Sequence, residues 1–313
     1  MNRERVIGLA CAAVSVLLFS SFTLISRLGL SSHLRFPDLA ALRFGIGGTL
    51  LFPTLLRADL RGVAWQDAAG LALFGGVGFA LLAYAGFSLA PAAHGAVLLH
   101  GTLPLFTYVV VRATARREGA AQRTTGIILI AAGVGLMACD SLFAASPRQL
   151  LGDALLLLAS LFWSSYGVLS RRVGLPAASG AAVVAVVSLC AFLPLYAVWP
   201  GKALLTVGTG ELLLQATVQG VLIGAISIFV YTRAVAALGP ATTALFAAAV
   251  PVITTLAAIP LLSESPSRLT LVGVGVVTLG MVSAPRRLLR GRRGGDVTAE
   301  AVHRLDQVLR RFR

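Results

Sequence analysis

Leu18–Leu30 reads LFSSFTLISRLGL, and Phe162–Leu175 reads FWSSYGVLSRRVGL. Leu18 to Leu28 match Phe162 to Arg172 at a constant offset of 144. One residue is then inserted, and Gly29-Leu30 match Gly174-Leu175. Each copy places Ser-Ser and an aromatic inside an apolar run and Ser-Arg at its end. A phrase spelled twice signals an internal repeat, and the segments between the copies decide what kind.

Those segments are apolar from end to end. The 313 residues are 57% hydrophobic and 12% charged, with a mean hydropathy of +0.88. A soluble globular chain carries about 25% charged residues. Apolar runs recur at about the 20 residues needed to cross a hydrocarbon core. They lack the alternation of a barrel strand, so helices, which satisfy their own backbone in lipid, are expected. Ten segments follow, at roughly 6–27, 37–56, 67–90, 91–112, 122–141, 150–171, 176–199, 211–233, 240–262 and 267–284. Pro37, Pro91, Pro176 and Pro240 stand at or near first turns, where a missing N–H costs nothing. The loops are short and leave no extramembrane domain. MNRERVIGLAC at the N-terminus has the positive start of a signal peptide, but its apolar stretch runs on to Ile25 and reads as the first membrane helix.

The net charge of +14 does not point to nucleic acid. The arginines sit at the ends of apolar runs and in the tail, as the positive-inside rule places them. With the N-terminus in the cytoplasm, 20 of the 26 basic residues fall on the cytoplasmic side and five opposite; Arg43 lies within a segment. Both termini are therefore expected to be cytoplasmic. The tail, 285–313, places Val302, Leu305, Leu309 and Phe312 on one helical stripe with arginines around it. Such a helix can lie on anionic lipid, although a disordered basic tail reads equally well. Cys11, Cys139 and Cys190 are scattered and make neither a disulfide framework nor a metal site.

The two quoted phrases end segments 1 and 6. Five segments separate them, so the copies cross in opposite directions. This predicts an all-α integral membrane protein, ten transmembrane helices in a 5+5 inverted-topology repeat with halves 6–141 and 150–284. LAPAAHGAVLLHGTLP from Leu89 and LGPATTALFAAAVP from Leu238 open the fourth segment of each half and reach a second proline, Pro104 or Pro251, well inside it. Two similar halves in opposite orientation can open a central site first to one side and then to the other.

These features together resemble EamA-type members of the drug/metabolite transporter superfamily. The resemblance rests on the Ser-Ser-aromatic phrase in both halves, ALRFGIGGTLL in segment 2, and the proline-bearing fourth segments followed by Glu118 and Glu264. It covers about residues 6–284 and implies a ten-helix permease of small metabolites in a plasma (inner) membrane of bacterial type. Arg43-Phe44 has no counterpart in the second half, where Ala182 aligns with Arg43, and His94 and His100 match no feature of the family.

Polar groups at membrane depth are costly and mark candidate substrate-path residues. Arg43 lies six residues past Pro37, about 9 Å along the helix axis, and suits an anion or carboxylate; snorkelling to headgroups is the alternative. His100 is four residues before Pro104, which removes the N–H that would bond its carbonyl. Trp163 and Tyr166 share a stripe with Ser170, as Phe19 and Phe22 do with Ser26, and suit a cavity wall. Gln219, Tyr84 and Ser20 complete the candidates, with Gln215 on the face of Gln219 and His94 nearer a helix end. Pro104 and Pro251 are the expected helix breaks. The acids all lie at segment ends and do not cluster. A small-molecule substrate bearing a carboxylate, such as an amino acid, is the expectation. Multidrug efflux is the alternative within transport, and a lipid-modifying membrane enzyme the alternative outside it. Neither a metal nor a cofactor is expected, since no nucleophile–base pair, phosphate loop or metal spacing is present.

Overall fold

A computed structural model describes residues 3–114, 124–143, 146–247 and 249–283; the tail 285–313 and Glu118 lie outside the described residues. Most of these residues are helical, and no strand occurs among them. They fall into ten stretches. The first half contains α1 (Arg3–Ser31), α2 (Phe36–Leu56), α3 (Trp65–Leu89), α4 (Ala92–Thr114) and α5 (Thr124–Phe143). The second contains α6 (Pro147–Val173), α7 (Ala177–Ala197), α8 (Thr209–Leu238), α9 (Pro240–Leu262) and α10 (Arg268–Ser283). Eight are long and apolar enough to cross a membrane; α5 and α10 contribute the shorter apolar helices Thr125–Met137 and Arg268–Ser283. Exposed Leu17, Leu56, Val198, Leu205 and Val282 face outward, as a lipid-embedded surface requires.

Local chemistry sets several boundaries. Proline occupies the first turn of α2, α6 and α9, and α4 and α7 start directly after Pro91 and Pro176. Ser146 caps α6 by accepting the Gln149 N–H, and Gly174 ends it in the left-handed conformation at φ 70°.

The halves interlock. Helix α1 packs on α8 as α6 packs on α3; α1 meets α9 as α6 meets α4; α2 meets α8 as α7 meets α3. The remaining major contacts, α2 with α7, α4 with α9 and α5 with α10, join equivalent helices of the two halves. Shifting every helix by five maps this contact set onto itself, as a two-fold exchange of the repeats does.

The ion pairs show the inversion. At one end Arg27, late in α1, pairs with Glu264 behind α9 at 2.9 Å and donates to the Phe87 carbonyl of α3 at 2.7 Å. At the other end Arg172, late in α6, pairs with Asp67 of α3 at 2.6 Å, Arg233 pairs with Glu4, and Arg171 donates to the Val235 and Ala236 carbonyls of α8. The chain thus finishes α1 and α6 at opposite ends of the bundle. We call these the Arg27 end and the Arg172 end.

Helix α2 crosses α8 backbone to backbone. A Cβ on Gly224 would stand 2.5 Å from the Arg43 carbonyl oxygen, and one on Gly47 2.7 Å from the Gly224 carbonyl carbon. Close approach through small residues is how membrane helices gain packing without a hydrophobic drive. It also fixes the height of Arg43 against α8. Gly224→Ala should destabilise the protein by about 1–3 kcal/mol through overpacking. Gly45→Ala, on α2 with open space around it, should melt like the wild type. Thermal unfolding in detergent checks both, and equal melting of the two variants would remove this account of the crossing.

Candidate functional site

Arg43 does not snorkel. It is 1% exposed, and its guanidinium carbon lies 5.4 Å from the ring centres of both Phe22 (α1) and Phe79 (α3). Cation–π attraction in this dry setting offsets part of the cost of removing the charge from water. It does not satisfy the donors: Nε and Nη1 of Arg43 make no hydrogen bond.

The rings beside Arg43 continue into a cluster. Phe79 meets Trp163 at 4.5 Å, and Trp163 meets Tyr166 at 5.2 Å, Tyr231 at 4.9 Å and Phe19 at 5.7 Å. Phe19 stacks on the His100 imidazole at 5.1 Å. Phe22 meets Tyr84 at 5.4 Å, edge to face. The Tyr166 hydroxyl hydrogen-bonds Thr232 at 2.5 Å, whereas Nδ1 of His100 and Nε1 of Trp163 make no hydrogen bond.

A polar string runs down one side. The Tyr84 hydroxyl donates to Gln219 Oε1 at 2.9 Å. Gln219 Nε2 donates to Ser26 Oγ at 3.0 Å and to Gln215 Oε1 at 3.3 Å, and Gln215 Nε2 donates to the Ile25 carbonyl at 2.8 Å. Six predicted residues, Arg43, Tyr84, His100, Trp163, Tyr166 and Gln219, therefore meet in one buried region. Ser20 is buried next to Phe19 along α1, and its hydroxyl makes no hydrogen bond.

Four of the helices, α3, α4, α8 and α9, are irregular. Helix α4 is π-helical over Ala96–Gly101 and resumes as α-helix at Leu103, immediately before Pro104. Helix α9 is α-helical over Pro240–Phe246 and resumes at Ala249, two residues before Pro251. The breaks thus stand beside the two prolines. The His100 carbonyl is not left free, because Thr102 N–H turns back to donate to it. Helix α8 is π-helical over Ala216–Ser227, the stretch that carries Gln219. Extra-wide turns of this kind gather at functional sites.

Helix α3 breaks at Gly76, which the sequence reading missed. Ser188 of α7 fills the break: its hydroxyl accepts from Val77 N–H at 3.1 Å and donates to the Ala72 carbonyl at 3.4 Å. A Cβ on Gly76 would collide with that hydroxyl. The signal was the run Gly75-Gly76-Val77-Gly78. Phe79 and Tyr231 also belong to the cluster; nothing in their spacing along the sequence sets them apart from core aromatics.

One expectation is overturned. The acids do cluster: His94 Nδ1 lies 3.0 Å from Asp153 Oδ1, and His94 Nε2 3.7 Å from Asp140 Oδ2. Three separate segment ends meet there through the fold, which spacing along the chain does not reveal. Among the described residues, no group of three His, Cys, Asp or Glu side chains is placed to hold a metal ion.

A bundle of apolar helices with interlocked, opposed halves and a buried polar centre defines a multi-pass membrane protein with an internal repeat. The chain belongs to the EamA-like transporter family, whose model matches twice, over residues 6–139 and 150–284. This places it in the drug/metabolite transporter superfamily. A solved crystal structure, described only as that of a protein, shares the fold, with a TM-score of 0.61 and 20% identity over 94% of this chain and 99% of the other. No curated protein matches the chain.

Tyr84→Phe removes the donor from Gln219 Oε1 and should cost about 1–3 kcal/mol, the usual effect of a buried polar group left unpaired. Gln219→Leu also takes a donor from Ser26 and Gln215, so the double variant should lose less than the sum of the two single losses, because the Tyr84–Gln219 bond is counted in both. Melting curves of the two single variants and the double variant test this. Strict additivity would count against the bond.

Proposed function

We propose that the chain crosses a bacterial-type inner membrane ten times with both termini in the cytoplasm. It exports small metabolites bearing a carboxylate, amino acids among them, by alternating access around Arg43. The observation carrying this reading is the buried guanidinium with two nitrogens lacking acceptors, walled by aromatic rings. A carboxylate supplies the missing acceptors and charge, and the rings accept an organic body. A lipophilic cation, the usual cargo of multidrug efflux, would meet the charge of Arg43 instead.

The closed form of the bundle supports alternating access. Arg27–Glu264 holds the Arg27 end, while Arg172–Asp67 and Arg233–Glu4 hold the Arg172 end. With both ends tied, the centre is sealed from water, and releasing one set at a time opens it to one side. The repeat supplies the second, inverted conformation.

The test is uptake of labelled amino acids into liposomes holding the purified protein. Saturable uptake is expected, with the initial rate of Arg43→Met lowered about tenfold or more by loss of a charge-assisted bond. Equal rates would remove Arg43 from the site; no uptake of any amino acid by wild type would remove the substrate class. Topology is checked in a variant lacking Cys11, Cys139 and Cys190 by placing a cysteine at exposed Arg61. It should resist an impermeant thiol reagent in intact cells, and labelling from outside would reverse the orientation.

A further inference from the structure

His94 is 2% exposed at the Arg27 end, on the first turn of α4. Its ring stands between two carboxylates from different helices, Asp153 of α6 at 3.0 Å and Asp140 of α5 at 3.7 Å. Two hydroxyls of the α10 start hold Asp140: Ser267 donates to Oδ1 at 2.7 Å and Thr270 to Oδ2 at 2.8 Å. The Thr270 hydroxyl also lies 3.4 Å from His94 Nε2. Helices α4 and α5 belong to the first half, α6 and α10 to the second.

We propose that His94, Asp140 and Asp153 form a proton-binding site that clamps the two halves together at this end, and that its proton is the one coupled to transport. The neutral ring donates Nδ1–H to Asp153, and its Nε2 lone pair then faces the Asp140 oxygen. Adding a proton at Nε2 makes the ring a cation that donates to Asp153 and pairs with Asp140 across 3.7 Å, and it reduces the charge of the triad from minus two to minus one. The proton comes from water through Asp140, whose side chain is 23% exposed while His94 is sealed behind it. Losing it restores the lone pair opposite a carboxylate and loosens the joint between α4, α5 and α10. Ionisable groups inside membrane proteins serve as proton relays in this way.

Charged groups of the neighbouring helices are paired or exposed. On α9 the nearest charge is Glu264, which is engaged by Arg27 of α1 and by the Ala92 N–H at 2.8 Å. The sole acid of α3, Asp67, pairs with Arg172 at the far end. Arg148 of α6 and Arg268 of α10 are exposed. Ala92 and His94 share one turn of α4, so the Glu264 contact and the triad hold the same helix start. Whichever conformation frees that turn binds the proton differently, and by linkage the proton biases the conformation.

Proton binding is tested without transport. In histidine-labelled protein, the His94 ring signal is assigned by its absence in His94→Gln. It should shift when protons are added, and Asp140→Asn should alter that shift. A His94 signal that stays fixed as the pH is lowered overturns the site. Coupling rests on the transport reading above and is tested in liposomes as the ratio of uptake rates with and without an imposed pH gradient. That ratio should exceed one in wild type and in His33→Gln, and fall to one in His94→Gln and Asp153→Asn. A ratio retained in His94→Gln overturns the coupling. A wild type that transports nothing overturns the transport reading, while the titration still decides the proton site.

Discussion

A guanidinium sealed from water is the constraint on which the centre of this protein turns. Arg43 reaches its place because Gly47 and Gly224 let α2 and α8 touch, and the crossing sets its side chain between Phe22 and Phe79. A charge in such a place is retained only with compensation, and π-electron faces supply one part of it. The donors they cannot satisfy remain, together with Nδ1 of His100 and Nε1 of Trp163. A fold that leaves several buried donors unmatched in one region gives up stability there, the usual mark of a site completed by something else.

The irregular helices follow from the same need. Lipid forbids open backbone, so breaks in α3, α4, α8 and α9 must be answered inside the protein. Ser188 answers the break at Gly76, and Thr102 N–H answers the His100 carbonyl. A straight α-helix presents each residue at a fixed angle to its neighbours. The π-helical stretches of α4 and α8 re-aim His100 and Gln219 relative to the ends of their own helices. The polar side chains of the centre are thus aimed by departures from the regular helix.

Much of this was legible in the chain. The repeated phrase at Leu18 and Phe162 and the odd number of segments between them gave the inverted halves, and the family match in two blocks agrees with the repeat. Arg43, His100 and Gln219 stood out because polar side chains inside apolar runs are conspicuous. What escaped was whatever depends on helices meeting. His94, Asp140 and Asp153 each sit near a helix end, where a polar residue is ordinary, and only packing shows that three ends coincide. The wide turns escaped for a related reason: composition sets whether a segment is helical, and contacts with neighbours set where an extra residue is accommodated.

The symmetry of the backbone and the asymmetry of the chemistry serve different ends. Phe19 and Trp163 are equivalent in the repeat, as are Phe22 and Tyr166 and the end arginines Arg27 and Arg171, so both halves build the walls and ends of the bundle. The groups proposed above to bind substrate and proton are not repeated. Ala182 stands where Arg43 would recur, and Thr243, three residues past its proline, stands where His94 would. In the proposed cycle, near-equal halves keep two opposed conformations close in energy, which lets small binding energies shift the balance between them. A ligand that met the same groups in both halves could gain nothing by position. A single arginine and a single histidine break the tie, one at the sealed centre and one at the joint of the Arg27 end.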